Sequence, residues 1–305
     1  MYNDHFGLRE LPFTITPDTS FFFANASHQD ALNVLLVALR SGEGFIKVVG
    51  EVGTGKTLLC RRLLSALDPH EFETAYIPNP YLEPRTLLFA VADEIGAIYE
   101  GEPNQHQLLR ILNRALVDAY ADGRRVVLCL DEAQAMPTET LEALRLLSNL
   151  ETERRKLLQV VLFGQPELDR RLEEPSIRQL KQRITFSCQV APLKRADVEY
   201  YIAHRLHVAG YRGPRLFAKK ALNAVYAASG GVPRLINILA HKSMMAAYGE
   251  GVHYVDARHV KLAAADTEST RGILAGGARK QARYAAALLA AFAASAGALL
   301  WGHWL

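Results

Sequence analysis

The eight residues Gly50-Glu51-Val52-Gly53-Thr54-Gly55-Lys56-Thr57 combine three glycines, a lysine and a hydroxyl in the pattern GxxxxGK[ST]. Glycines so spaced let successive backbone N–H groups turn inward on an anion. A helix starting near Lys56 adds the positive end of its dipole to the same point. In such a loop Lys56 reaches the β- and γ-phosphates of a nucleotide, and the Thr57 hydroxyl supplies one position to Mg²⁺. The cradle then runs from Gly50 to Leu58, with ATP as the expected ligand. The bland alternative is a glycine-rich turn that binds nothing. It is the weaker reading, because the full pattern follows an apolar run, Phe45–Val49, and precedes a helix-compatible one, Leu58–Leu64.

A second group of chemistry-bearing residues lies about 75 residues further on, at the spacing expected of a phosphate-loop protein. Val126-Val127-Leu128-Cys129-Leu130 reads as a strand buried on both faces, and it ends in Asp131 and Glu132. Open α/β sheets bind ligands at such strand ends. Asp131 is placed to hold Mg²⁺ through water, and Glu132 to polarise a water for attack on the γ-phosphate. A later apolar run, Leu157–Phe163, leads to Gly164-Gln165-Pro166. Gln165 would sense the γ-phosphate and position the water, or else its amide caps the helix that Pro166 opens. In Ser176–Val190, Arg178, Lys181 and Arg183 make either a solvated basic face or an arginine finger projecting into a neighbouring subunit's site. Arg183, at the strand entrance, is preferred to Arg178 for that finger. Gly230-Gly231-Val232-Pro233-Arg234 opens a helix, so Arg234 would meet a phosphate bound between two domains.

The elements that must carry these residues follow from periodicity. Residues 1–27 hold aromatic clusters broken by Pro12 and Pro17, an extended lead-in expected to pack on the core. From His28 to Arg40, Leu32, Leu35, Leu36 and Leu39 recur at helical spacing. That helix either packs the core or borders a nucleotide base. A strand is expected at Glu73–Ile77, with helices at Glu83–Ile98, Asn104–Tyr120 and Thr138–Leu150. After Pro192 the strand patterns stop, and helical periodicity runs through Ala196–Ala209, Phe217–Ala228, Val232–Tyr248 and Val255–Ala265. The expected domains are therefore an α/β nucleotide-binding domain over 28–192, a helical lid over 193–265 and a linker over 266–283.

Composition is ordinary for a globular chain of 305 residues, 50% hydrophobic and 22% charged. A net charge of +3 does not by itself argue for a nucleic-acid partner. Cys60, Cys129 and Cys188 are far apart in apolar contexts. That suits buried reduced thiols in a cytosolic compartment better than zinc or a disulfide framework. His204 and His207 share a helical face without a third ligand nearby in sequence. The N-terminal residues carry no secretory signal pattern.

The order of these motifs resembles that of the AAA+ ATPases. That resemblance implies a P-loop NTPase with a parallel five-stranded sheet of order 5-1-4-3-2 and a small helical lid. It also makes Lys56 and Thr57 Walker A, Asp131 and Glu132 Walker B, Gln165 sensor 1 and Arg234 sensor 2. Many AAA+ proteins carry Asn, Ser or Thr where Gln165 stands. More narrowly, MYxxxFGLxxxPFxxTPD at the start, LDEAQ, GQPEL and SGGVPRLIN resemble the ExeA/GspA-type secretion ATPases, within them the MshM-like pilus-biogenesis branch. The resemblance covers residues 1–265. It implies a homo-oligomer with the finger in trans, working with pilus or secretion machinery.

The tail adds a membrane. Arg279, Lys280 and Arg283 precede Tyr284–Leu305, which holds no Asp, Glu, Lys or Arg. About 20 apolar residues cross a bilayer, and Trp301 and Trp304 suit an interfacial belt. Ala293 and Gly297 offer a face for helix pairing. Residues 284–303 are thus expected to be a transmembrane helix, a single-pass C-terminal anchor at the cytoplasmic face of the inner membrane; a partner-binding or buried helix is the alternative. Larger GspA-type proteins continue into a peptidoglycan-binding region, which is not expected here.

The expected function is ATP hydrolysis with Mg²⁺ in building a type IV pilus or type II secretion-like machine. A DNA-associated ATPase of transposition or replication-initiator type shares the core, but no basic DNA-binding module is visible, so nucleic acid is not an expected partner. A nucleotide-gated scaffold with little turnover is the other alternative. DEAQ is reminiscent of DEAD-box helicases, but a second motor domain does not fit the remaining residues.

Overall fold

The computed structural model describes residues 2–147 and 156–270. The segment expected to cross a membrane, 284–303, and the linker from residue 271 lie outside the described residues. Among those described, no helix is long and apolar enough to cross a membrane.

Five strands form one sheet: β1 (Phe45–Gly50), β2 (Phe72–Ile77), β3 (Arg125–Leu130), β4 (Leu158–Gly164) and β5 (Ile184–Val190). Their order is β2-β3-β4-β1-β5, and every neighbouring pair is parallel. This is the order that the AAA+ resemblance implied. The central strands are apolar on both faces because both faces are covered. Along β3, Val126, Leu128 and Leu130 enter one buried cluster, while Val127 and Cys129 enter another. β4 divides in the same way, with Val160 and Leu162 on one side and Val161 and Phe163 on the other.

Helices cover the two faces. α1 (Asn3–Phe6) lies in the N-terminal stretch described below. α2 (Ala26–Arg40) and α3 (Lys56–Ala66) bury Leu35, Leu39, Leu59 and Leu63 against one face. α4 (Pro84–Glu94), α5 (Gln105–Ala121) and α6 (Thr138–Leu147) bury Leu87, Leu108, Leu112, Leu141 and Leu144 against the other. α5 starts at a capping box, in which the Asn104 side chain accepts from the Gln107 N–H and the Gln107 side chain from that of Asn104. α7 (Pro166–Leu172) follows β4, and the short α8 (Arg178–Lys181) precedes β5. All three cysteines are buried free thiols.

Two compact units result. One is Thr16–Pro192, the sheet and its helices; the other joins residues 2–15 to residues 193–270. The second contains α9 (Arg195–Val208), α10 (Lys219–Ser229), α11 (Pro233–Gly249) and α12 (Ala257–Ala265).

The N-terminal lead-in, expected to pack on the α/β core, divides between them. Phe21 and Asn25 are buried in the sheet unit, whereas Tyr2, Phe6 and Phe13 are buried in the helical one. The part in the helical unit meets a buried cation. Arg205 on α9 is 6% exposed and needs acceptors. It donates to the Pro12 carbonyl at 2.5 Å, and the Asn237 amide donates to the Thr14 carbonyl at 3.1 Å. The turn at Pro12 and Phe13 and the Thr14 that follows it lie outside any helix, so their carbonyls are free to accept from these side chains.

Candidate nucleotide-binding site

The phosphate loop is held from three sides. Gly50 ends β1 so close to β5 that a Cβ there would lie 2.6 Å from the Val190 carbonyl oxygen. Gly55 has a φ of +97°, the left-handed region, and a Cβ on it would stand 2.9 Å from His28 Nε2 on α2. Lys56 is 5% exposed, and its Nζ donates to the carbonyls of Gly50 at 2.8 Å and Glu51 at 3.0 Å. Burial lowers its pKa, and the nearby carboxylates of Glu132 and Asp131 oppose that shift. Glu51 and Val52 at the loop's tip are exposed, and Leu58 is half-buried in the first turn of α3.

The acidic strand end meets this loop directly. Thr57 Oγ1 donates to Asp131 Oδ2 at 2.6 Å. Burial raises the Asp131 pKa, while the Thr57 hydrogen bond acts the other way. Two hard oxygen donors, adjacent and next to a phosphate loop, suit Mg²⁺. Glu132 is the residue that breaks backbone regularity. Its φ is +53°, the positive value of a non-glycine residue among those described, and its N–H donates back to Asp131 Oδ1 at 3.0 Å.

The Glu132 carboxylate receives two amides on one oxygen. Gln165 Nε2 donates to Oε2 at 2.9 Å and Gln134 Nε2 at 2.5 Å. The alternative reading of Gln165, a helix cap, does not hold: it is the N-cap residue of α7 but makes no side-chain cap hydrogen bond. The structure thus brings Lys56, Thr57, Asp131, Glu132 and Gln165 together. Arg183 is half-buried and donates to the Arg145 carbonyl at 3.3 Å, whereas Arg178 is exposed. Arg234 is exposed at the second residue of α11, in the helical unit.

Three contributors escaped sequence reasoning. Gln134 lies in the noted LDEAQ stretch but was given no role of its own. His28, 5% exposed, pairs its Nδ1 with Asn25 Oδ1 at 2.6 Å under the loop. Arg171 on α7 donates to the Gln134 carbonyl at 2.6 Å and to that of Met136, pinning the turn after β3. Only the LDEAQ pattern offered a signal for any of them.

Residues 39–172 match the family model of the AAA domain. Over 271 residues, 89% of the chain, the sequence is 44% identical to General secretion pathway protein A of Aeromonas hydrophila. Residues 39–172 therefore carry an AAA domain. The chain spans about half of that relative, 49% of its length. Among solved structures the chain is similar to the Aeropyrum pernix ORC2 protein in its ADPNP–ADP complexes. There the TM-score is 0.60 at 18% identity, over 83% of this chain and 72% of that one. It is also similar to Cdc6p of Pyrobaculum aerophilum, with a TM-score of 0.62 at 18% identity, over 78% and 68% of the two chains. At such identities the likeness speaks to the P-loop fold alone.

Proposed function

We propose that this AAA-domain protein is an ATPase that helps assemble an envelope machine of the type II secretion or type IV pilus kind. The observation that carries the chemistry is the Glu132 carboxylate, held by two amides beside the Thr57–Asp131 pair at the mouth of the phosphate loop. In this reading Lys56 leaves the loop's own carbonyls for the β- and γ-phosphates, which are stronger acceptors. Glu132 takes a proton from water as the water oxygen bonds to the γ-phosphorus. The bridging P–O bond breaks and ADP leaves with that electron pair. Thr57 and, through water, Asp131 would hold Mg²⁺, which when bound neutralises charge on the phosphate oxygens. Gln165 orients the water with Glu132. Arg183 acts in trans on a neighbouring subunit's nucleotide, with Arg178 as the alternative finger, and Arg234 meets the phosphates from the lid.

The machine is inferred from the similarity to General secretion pathway protein A, and the MshM-like pilus branch from the N-terminal and SGGVPRLIN motifs. Residues 284–303 would anchor the protein at the cytoplasmic face of the inner membrane, an inference from composition.

The test is ATP turnover of wild type and Glu132→Gln, alone and with membranes, alongside nucleotide binding. The expected result is retained ATP binding with turnover reduced by about 10²–10⁴, the usual worth of a general base. Doping Arg183→Ala subunits into wild type should cut turnover more than in proportion. A wild type that binds ATP but never outpaces Glu132→Gln would leave a nucleotide-gated scaffold. A strongly salt-dependent affinity for duplex DNA would move the reading toward a DNA-associated ATPase.

A further inference from the structure

We infer that Gln134 is a positioning residue for the hydrolytic carboxylate, fixing Glu132 through one side-chain amide and registering it to Gln165 through the same group. The inference rests on the ATPase reading above.

The orientation of the Gln134 amide is determined by its partners. Its Oε1 accepts the backbone N–H of Gln165 at 3.0 Å, so it is Nε2 that faces the carboxylate, 2.5 Å from Glu132 Oε2. Gln165 Nε2 reaches the same oxygen at 2.9 Å. Glu132, Gln134 and Gln165 therefore close a ring of three hydrogen bonds. Two donors on Oε2 fix the plane of the carboxylate and leave Oε1 to accept from the attacking water.

The ring has its own supports. Gly164, next to Gln165, makes room for Leu168 on α7, whose methyl would lie 2.7 Å from a Cβ there, and Gln134 Oε1 packs beside it at an ordinary 3.4 Å. The Arg171 guanidinium holds the Gln134 carbonyl at 2.6 Å, so the turn after β3 is tied to the helix that Gln165 begins. Glu132 sits at a φ of +53°, a conformation L residues adopt rarely and hold only where neighbours determine it. A displacement of Gln165 is thus passed to the Glu132 carboxylate by two routes, directly and through Gln134.

The experiment uses the full chain with Gln134→Ala and Gln134→Glu. It measures kcat and KM for ATP, the affinity for a fluorescent ATP analogue, and the pH profile of turnover. Gln134→Ala is expected to lower kcat about tenfold or more, the scale of losing a hydrogen bond to a charged group, with analogue affinity unchanged. In Gln134→Glu the introduced carboxyl donates only when protonated, so its kcat relative to wild type should rise as the pH falls. An unchanged kcat in Gln134→Ala overturns the inference. So does a joint loss of kcat and affinity with a wild-type pH profile in Gln134→Glu, which would mark a residue that merely builds the turn. If wild type is no faster than Glu132→Gln, the ATPase reading itself falls and takes the inference with it; if it is faster while Gln134→Ala equals wild type, only the inference falls.

Discussion

His28 shows how a side chain outside the phosphate-loop pattern can still help to set the loop from beneath. Its ring is buried under Gly55 with Nδ1 bonded to Asn25, and burial lowers its pKa from 6.5. The unfolded chain therefore takes up a proton near that value, and the folded chain only at lower pH. Stability falls as the pH drops from 6.5 toward the lowered value and is unaffected above it. His28→Gln should shrink the difference in melting temperature between about pH 7.5 and about pH 5.5. It should not abolish it, because burial also lowers the pKa of His241. An unchanged difference would mean that the ring is not shielded. Lys56, Thr57, Asp131 and Glu132 were legible in the sequence because their chemistry sits in contiguous patterns. Gln134 was not, since its role depends on the positive φ of Glu132 and on Gln165, 31 residues away. His28 was not either, because a polar residue on the buried stripe of α2 has no pattern of its own.

Among the elements, the sheet was the most readable part. β3 and β4 are apolar on both faces, which only a strand covered on both sides tolerates, and the helices after Pro192 showed helical periodicity. What no period could reveal is a close approach such as that at Gly231. Its φ is +82°, and a Cβ there would stand 2.1 Å from the Leu193 carbonyl oxygen. The Leu193 N–H donates to the Gly231 carbonyl at 2.8 Å, so the strand of chain entering α9 is bonded to the turn entering α11. Gly231→Ala should cost more than about 1 kcal/mol, the excess arising because a left-handed backbone is combined with a backbone clash. Denaturant unfolding of the helical unit's transition measures it. A loss within a few tenths of a kcal/mol would show that the turn can relax.

For the molecule as a whole, the membrane question separates cleanly from the catalytic one. The full-length protein and a version ending at Thr270 should partition differently on fractionation, with only the former remaining in membranes after an alkaline wash. Two soluble proteins would make the tail a partner-binding helix. The N-terminal segment was the least legible part of the chain. Its aromatics announce burial, but nothing in their order says against what, and the acceptors it gives Arg205 are mostly backbone carbonyls.

That arrangement has a bearing on how the chain is made. The helical unit is assembled from residues 2–15 and from those after Pro192, with the whole of Thr16–Pro192 translated in between. At about 5–20 residues per second, Tyr2, Phe6 and Phe13 leave the ribosome on the order of ten seconds or more before α9 and α10 exist to receive them. In the interval the sheet unit, whose strands are all within the chain already made, is free to fold. During synthesis there is therefore a stage with a complete phosphate loop and the aromatic segment from Tyr2 to Phe13 not yet buried, which gives a chaperone or an early partner a handle that the finished molecule conceals.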